Sequence, residues 1–256
     1  MITLGNLGKQ FGTFWAVRDL TLTVPPGELF CFLGPNGAGK TTTIKMACGL
    51  LRPTTGTVCV AGGDPVTDQA VRAAIGYIPD QPFLYERLTA AEFFKFVGDI
   101  YRIPPERIRQ EREELFDLFG LQSQASSLIG DLSHGFRQRL IYAATLLHKP
   151  RVLFVDEPFI GLDPHTIRLL RELLRAKARA GMTIFLTTHI LALVEGLADR
   201  VGILAGGRLA ALGTVEELCA RAGGAAALED VFLGLTQSDS LNITSPSVLS
   251  GAREPI

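Results

Sequence analysis

An α/β fold with a mostly parallel sheet is what this sequence predicts, and three observations carry that expectation. The apolar run CFL at 31–33 leads into the Gly-rich stretch GPNGAGKTT at 34–42, and TTTIKMACGL follows with helical character. A second apolar run, RVLFVDEP at 151–158, ends in two acids. A third, MTIFLTTH at 182–189, ends in a histidine. Helical segments separate these runs, and strand–helix alternation around such a loop builds a parallel sheet with its ligand at the carboxyl ends of the strands. The full expectation is an N-terminal β part, antiparallel in its pairing, a mostly parallel core, and a helical subdomain inserted at about 84–150. Together these form one domain over 1–236.

The elements follow in order. Residues 2–33 read as strands: TLTV alternates, Pro25-Pro26-Gly27 makes a turn, and ELFCFL runs into the Gly-rich loop. RPTTG at 52–56 is a turn before the strand TVCVAG, and VRAAIGYIP at 71–79 gives a short helix and then a strand. The character then changes. AAEFFKFVGDIYRI places Phe93, Phe96, Val97 and Ile100 at helical spacing, a stripe expected to pack in the core. PPERIRQEREELFDLFGL opens on prolines and carries Ile108, Leu115, Leu118 and Phe119 as its apolar positions. HGFRQRLIYAATLLHKP is a third helix of the insertion. After the strand at 151–158 a helix is expected at about 165–180, and VGILAGGRLAALG reads as a hairpin closed by Gly206-Gly207. From Gln237 the chain turns Ser/Pro-rich, and 237–256 is expected to be a disordered tail.

Bulk properties exclude several functions. The 256 residues are 47% hydrophobic, enough for a sizeable core, and the net charge of −1 gives no global basic field for nucleic acid. No run of about 18 apolar residues exists to span a bilayer, and MITLGNLGKQF lacks the charged-then-apolar design of a signal peptide. Cys31, Cys48, Cys59 and Cys219 show no C-x-x-C spacing, so they read as buried, reduced thiols.

The loop carries the chemistry. Gly34, Gly39, Lys40 and Thr41 fill the fixed places of the phosphate-loop pattern G-x-x-x-x-G-K-[ST]. Glycines let the backbone of Gly34, Pro35, Asn36, Gly37, Ala38 and Gly39 wrap an anion, and the helix start adds its positive end. In this stretch, which runs on to Thr42, Lys40 would reach the β- and γ-phosphates, and the Thr41 hydroxyl would ligate Mg²⁺. A strand ending in acids is the expected second half of such a site. Asp156 would hold Mg²⁺ through a water, and Glu157 would orient or deprotonate the attacking water. One of Phe11, Phe14 and Trp15 is available to stack on an adenine, with ordinary core packing as the alternative.

Further segments then form a set. LSHGFRQ at 132–138, just ahead of VDEP, resembles the LSGGQ-type signature of ATP-binding-cassette ATPases. FIGLDP at 159–164 resembles their D-loop, Thr188-His189 their switch-histidine region, and IGYIPDQPFLYERLT their glutamine-loop region. RPTTGTVCVAGGDP has the family look as well, and the resemblance covers roughly residues 2–215 in the family's motif order. It implies a RecA-like P-loop NTPase core that binds ATP with Mg²⁺ and hydrolyses it. It places Phe11 against the adenine, His189 on the γ-phosphate, and Ser133 and Gly135 on the γ-phosphate held by an opposite subunit. Asp163 works across the same interface. Lys40, Glu157 and His189 form the catalytic set, with Thr41, Asp80 and Asp156 toward the metal.

The partners implied are a second ATPase subunit, identical or different, and a membrane-spanning permease that inserts a short helix near 80–95. No nucleic acid is expected. The resemblance places the chain at the cytoplasmic face of the cell membrane, held there through the permease. LEDVFLGLT at 228–236 resembles the end of cassettes that serve export-type permeases on a separate chain. The alternative is a soluble cassette ATPase acting on a ribosome or nucleic-acid complex, which usually has tandem cassettes or long coiled-coil insertions. Two departures stand out. Asp80 occupies the usual glutamine position with Gln81 next to it, so either Asp80 makes the Mg²⁺ and water contact or the register shifts to Gln81. An oxygen ligand suits Mg²⁺ and favours Asp80. His134 replaces the first glycine of the signature and Phe136 its final glutamine.

Overall fold

The computed structural model describes residues 1–221 and 227–240. Two sheets divide the labour. The strands β1 (Ile2–Phe11), β2 (Phe14–Val24) and β4 (Thr55–Val60) form an antiparallel sheet in the order β2-β1-β4. The larger sheet has six strands. It contains β3 (Leu29–Leu33), β5 (Ile75–Ile78), β6 (Val152–Asp156), β7 (Thr183–Thr188), β8 (Arg200–Ala205) and β9 (Arg208–Gly213) in the order β5-β6-β7-β3-β8-β9. Its first five neighbours run parallel, and β9 folds back antiparallel on β8 through Gly206-Gly207, as the hairpin reading expects.

Strands β3, β6 and β7 are buried along their whole length. Their side chains alternate between faces, as the pleat requires. Phe30, Phe32, Phe154 and Phe185 point toward the small sheet, where Ile2, Leu4, Leu20 and Leu22 meet them. The Phe30 and Phe154 rings lie 5.2 and 5.7 Å from that of Phe185. Leu29, Cys31, Leu33, Leu153 and Leu186 point the other way, into a core shared with the helices.

The helical insertion leaves the sheet after β5 and returns at β6. It consists of α3 (Ala90–Ile100), α4 (Pro105–Leu118) and α5 (His134–Leu146); α1 (Lys40–Ala47) and α2 (Gln69–Ala73) precede it. Thr89 and Glu92 form a reciprocal cap at the start of α3, and Pro105 opens α4. The buried faces differ from the expected stripes. On α3, Phe93 and Phe94 are buried, whereas Phe96 and Ile100 are exposed. The face turned inward runs through Ala90, Phe93, Phe94 and Gly98, because Phe94 packs edge-on against Phe116 of α4 at 5.3 Å. For the same reason Phe116 is buried on α4 and Leu118 is exposed. Phe96 instead meets Tyr85 at 5.3 Å on the surface.

The cysteine expectation is also corrected in part. All four thiols are free, but only Cys31 and Cys48 are buried; Cys59 and Cys219 are half-buried. Burial pushes the Cys31 and Cys48 thiols up, so they stay protonated and inert. Past β6 come α6 (Pro164–Arg179), α7 (Val215–Arg221) and α8 (Leu228–Ser240). The expected tail begins at Gln237; α8 continues through Ser240, and 241–256 lie outside the described residues. No helix among the described residues is long and apolar enough to cross a membrane.

Candidate nucleotide site

The Gly-rich loop joins the end of β3 to the start of α1 at the carboxyl edge of the large sheet. Gly39 takes the left-handed conformation at φ 104° as the residue before α1, and a side chain there would run into the Ala16 carbonyl. A Cβ at Gly34 would lie 2.7 Å from the Leu204 carbonyl oxygen. These two positions let the loop close against β2 and β8. The leading N–H groups of α1 have no intrahelical acceptor, as at any helix start. Lys40 is buried and folds back over its own loop, donating to the Gly34 carbonyl at 2.7 Å and the Pro35 carbonyl at 3.3 Å.

The acids arrive from the neighbouring strands. Asp156 ends β6, is buried, and accepts a 2.5 Å hydrogen bond from the Thr187 hydroxyl of β7. Glu157 follows with φ 48°, a strained conformation that turns its carboxylate out of the strand direction. Its Oε1 lies 3.2 Å from Lys40 Nζ, and its Oε2 lies 3.1 Å from His189 Nδ1 and accepts the His189 backbone N–H at 3.3 Å. The Lys40 contact is one of charge: Glu157 Oε1 is buried yet has no partner in hydrogen-bond geometry. Burial, then the charges of Asp156 and Glu157, push the Asp80 carboxyl up, while His189 pulls it the other way.

One cavity of about 520 Å³ is walled by Phe11, Phe14, Asn36, Gly37, Gly39, Lys40, Thr41 and Thr42 on one side and by Asp80, Glu157, Ile160 and His189 on the other, while Asp156 and Gly34 lie behind its lining. Phe11 and Phe14 are 49% and 63% exposed, so neither is a core residue; both line the cavity, and Lys9 Nζ sits over the Phe11 ring at 5.2 Å. Pro35 and Ala38 do not line it; they close the loop from behind through an Ala38 N–H to Pro35 carbonyl bond of 3.2 Å. Asp80 stands in the cavity, while Gln81 lines only a neighbouring one. Ser133, Gly135 and Asp163 stand outside the cavity as well. Ser133 caps α5 by accepting the Phe136 N–H at 3.4 Å, and Asp163 caps α6 by accepting from the Thr166 N–H and hydroxyl at 3.0 and 2.6 Å. Those Thr166 bonds hold the Asp163 carboxyl below the usual range. A Cβ on Gly135 would lie 3.7 Å from Asp163 Oδ2, so signature and D-loop segments of one chain adjoin.

Sequence reasoning missed Thr187 and Ile160. Thr187 is a polar residue at the end of an otherwise apolar strand, and that signal was available in MTIFLTTH. Ile160 carried none.

A family model described as ABC transporter matches residues 17–160. The chain belongs to the ABC transporter family. It is similar to the linearmycin resistance ATP-binding protein LnrL of Bacillus subtilis (strain 168), with 34% identity over 247 residues, 96% of this chain and 79% of that protein. A solved ATP-binding subunit of an ABC transporter superposes with a TM-score of 0.86 at 32% identity, covering 92% of this chain and 99% of that one. A bacterial ABC transporter cassette solved as a dimer gives 0.74 at 26% identity, covering 84% and 98%. This cassette is therefore an ATP-binding ABC ATPase subunit with the phosphate-loop NTPase fold that the sequence predicts.

Proposed function

We propose that this cassette hydrolyses ATP in a head-to-tail dimer and so drives a separate membrane permease. The observation that carries the reading is a division within one chain. Lys40, Glu157 and His189 converge on the loop cavity, while Ser133, Gly135 and Asp163 adjoin one another outside it. A second cassette placing its α5 start over the cavity would complete the site. In the roles proposed, Phe11 stacks on the adenine, Gly34–Thr42 wrap the triphosphate, and Lys40 neutralises the β- and γ-phosphates. Glu157 takes the proton of the attacking water, and His189 holds the Glu157 carboxylate in place and contacts the γ-phosphate.

The donor set fits a hard cation. Burial and the charges of Asp156 and Glu157 raise the cost of ionising Asp80, and among the described residues no group of three or more His, Cys, Asp or Glu is arranged to hold a metal alone. That suits Mg²⁺, which takes one or two side chains and completes its shell from phosphates and waters. Thr41, Asp80 and Asp156 would hold it, and when bound it would offset the negative charge of the phosphate oxygens. With Asp80 in the cavity and Gln81 outside, Asp80→Asn is expected to slow hydrolysis about tenfold with less than threefold loss of ATP affinity, as for a group contributing about 1–1.5 kcal/mol mainly in the transition state. Gln81→Ala is expected to stay within twofold of the parent. Steady-state ATPase assays on both variants check this; the reverse pattern would move the glutamine-loop role to Gln81.

The permease reading is supported by a surface. Phe83 is 85% exposed and Tyr85 49%, and both border the cavity of about 660 Å³ beside Gln81, Arg137 and Gln138, while exposed Phe96 packs edge-on against Tyr85 at 5.3 Å. Gln138 is buried without a side-chain hydrogen bond among the described residues and opens on that cavity. An apolar patch rimmed by polar groups fits an inserted amphipathic helix. Export is the proposed direction, supported by the LEDVFLGLT segment of α8 and by the similarity to a resistance protein. The site of action would then be the cytoplasmic membrane face. Affinity purification from solubilised membranes is expected to bring down a polytopic protein, and Phe83→Asp to lose it while the dimer still hydrolyses ATP. Equal recovery with Phe83→Asp would displace the docking surface from this patch.

A further inference from the structure

His134 stands where the signature of this family resembles glycine, and its ring has a specific place. The Nε2 atom lies 3.3 Å from the Ile160 carbonyl oxygen, so an Nε2–H donates there. The ring adjoins Gly161, which turns at φ +70°; a Cβ built on that glycine would be in van der Waals contact with the imidazole at 3.5 Å. Five residues along α5, Arg139 reaches the same segment from its other end, donating to the Thr166 hydroxyl at 2.6 and 3.2 Å; Thr166 in turn donates to Asp163. The stretch between Glu157 and α6 is thus tied to α5 at two points, and its first tie holds Ile160, a wall of the nucleotide cavity.

We propose that His134 is a positioning residue: its bond to the Ile160 carbonyl fixes the 158–163 segment against the start of α5. The segment begins directly after Glu157, where the backbone is in the left-handed region and has no ladder partner of its own beyond the Glu157 N–H to Thr187 carbonyl bond. Phe159 anchors the start of the turn in the core, but Ile160 and Gly161 at its exposed tip rely on the His134 bond; without it the tip is free to shift, and Ile160 and, through the chain, the Glu157 carboxylate shift with it. A glycine at position 134 supplies no such hold. His134 therefore makes the placement of the base depend on the position of the signature helix in the same chain. This rests on the ATPase reading above.

Three full-length proteins test it: the parent, His134→Ala and His134→Gln, whose amide can also donate to the Ile160 carbonyl. Two measurements are made, amide hydrogen exchange over 158–163 without nucleotide, and steady-state hydrolysis of ATP with Mg²⁺. The expected result is exchange about fivefold faster and kcat about five- to tenfold lower in His134→Ala, with KM within twofold, the size of effect that loss of one hydrogen bond gives. His134→Gln is expected to restore both to within about twofold. Unchanged exchange in His134→Ala would overturn the proposal, as would failure of His134→Gln to restore it, since the ring would then act by packing alone. A parent that hydrolyses no ATP would sink the ATPase reading, while the exchange comparison would still decide the tie.

Discussion

Glu157→Gln is expected to bind ATP with at least the parent's affinity, to turn over about 10²–10⁴-fold more slowly, and to accumulate a closed dimer with ATP. The size is that of losing a general base. The direction of the binding effect comes from the geometry. In the parent, Lys40 Nζ sits 3.2 Å from Glu157 Oε1, so a triphosphate must compete with the carboxylate for the ammonium. An amide of the same shape removes that competitor and the negative charge facing the phosphates. His189 can still be held, because the amide oxygen can accept its N–H. Light scattering with and without ATP reads the dimer, and phosphate release reads turnover. Hydrolysis at the parent's rate would remove Glu157 from the role of base.

Lys40→Ala should cost about 100-fold or more in ATP affinity, the loss expected when one partner of a desolvated charge pair is truncated. It should also lower stability. Lys40 is buried and the Glu157 side chain is only 10% exposed, and removal of the ammonium leaves a carboxylate with His189 as its remaining close partner. The Gly34 carbonyl loses its 2.7 Å donor at the same time. Breaking a buried pair costs about 3–5 kcal/mol, and the retained histidine contact puts this case toward the low end of that range. A thermal melt beside a nucleotide titration separates the two effects: the melting temperature should fall by several degrees with the fold intact at 25 °C. Undiminished affinity for ATP with Mg²⁺ would remove the phosphate-loop assignment.

The sheet was legible because its strands are buried on both faces, and such strands read as continuous apolar runs bounded by turn residues. VLFVD, TIFLTT and LFCFL needed no partner to be seen. The loop was legible because phosphate binding demands glycines at fixed spacing. The inward faces of α3 and α4 were not. Both helices carry more apolar residues than one stripe can bury, so the choice between Phe94 and Phe96, or Phe116 and Leu118, rests on how the helices cross, which is tertiary information. Thr187 was hidden for a different reason. Its link to Asp156 exists only because β6 and β7 lie side by side, 31 positions apart in the chain. The Lys40–Glu157–His189 contact likewise draws on three strand ends that strand order alone brings together.

The outer position of β5 has a mechanical consequence. Because β5 is the border strand of the large sheet, the helices that follow it join the sheet at that side by two short straps, one leaving β5 after Ile78 and one entering its neighbour β6 at Val152. Swinging them breaks no rung of the β-ladder, but it must slide Leu140, Tyr142 and their neighbours against the sheet side chains of the shared core. Asp80 rides on the first strap and also faces the loop cavity. Asp80 lines the loop cavity and the cavity beside Phe83 and Tyr85 alike, so a single strap joins the aromatic flank to the phosphate cradle.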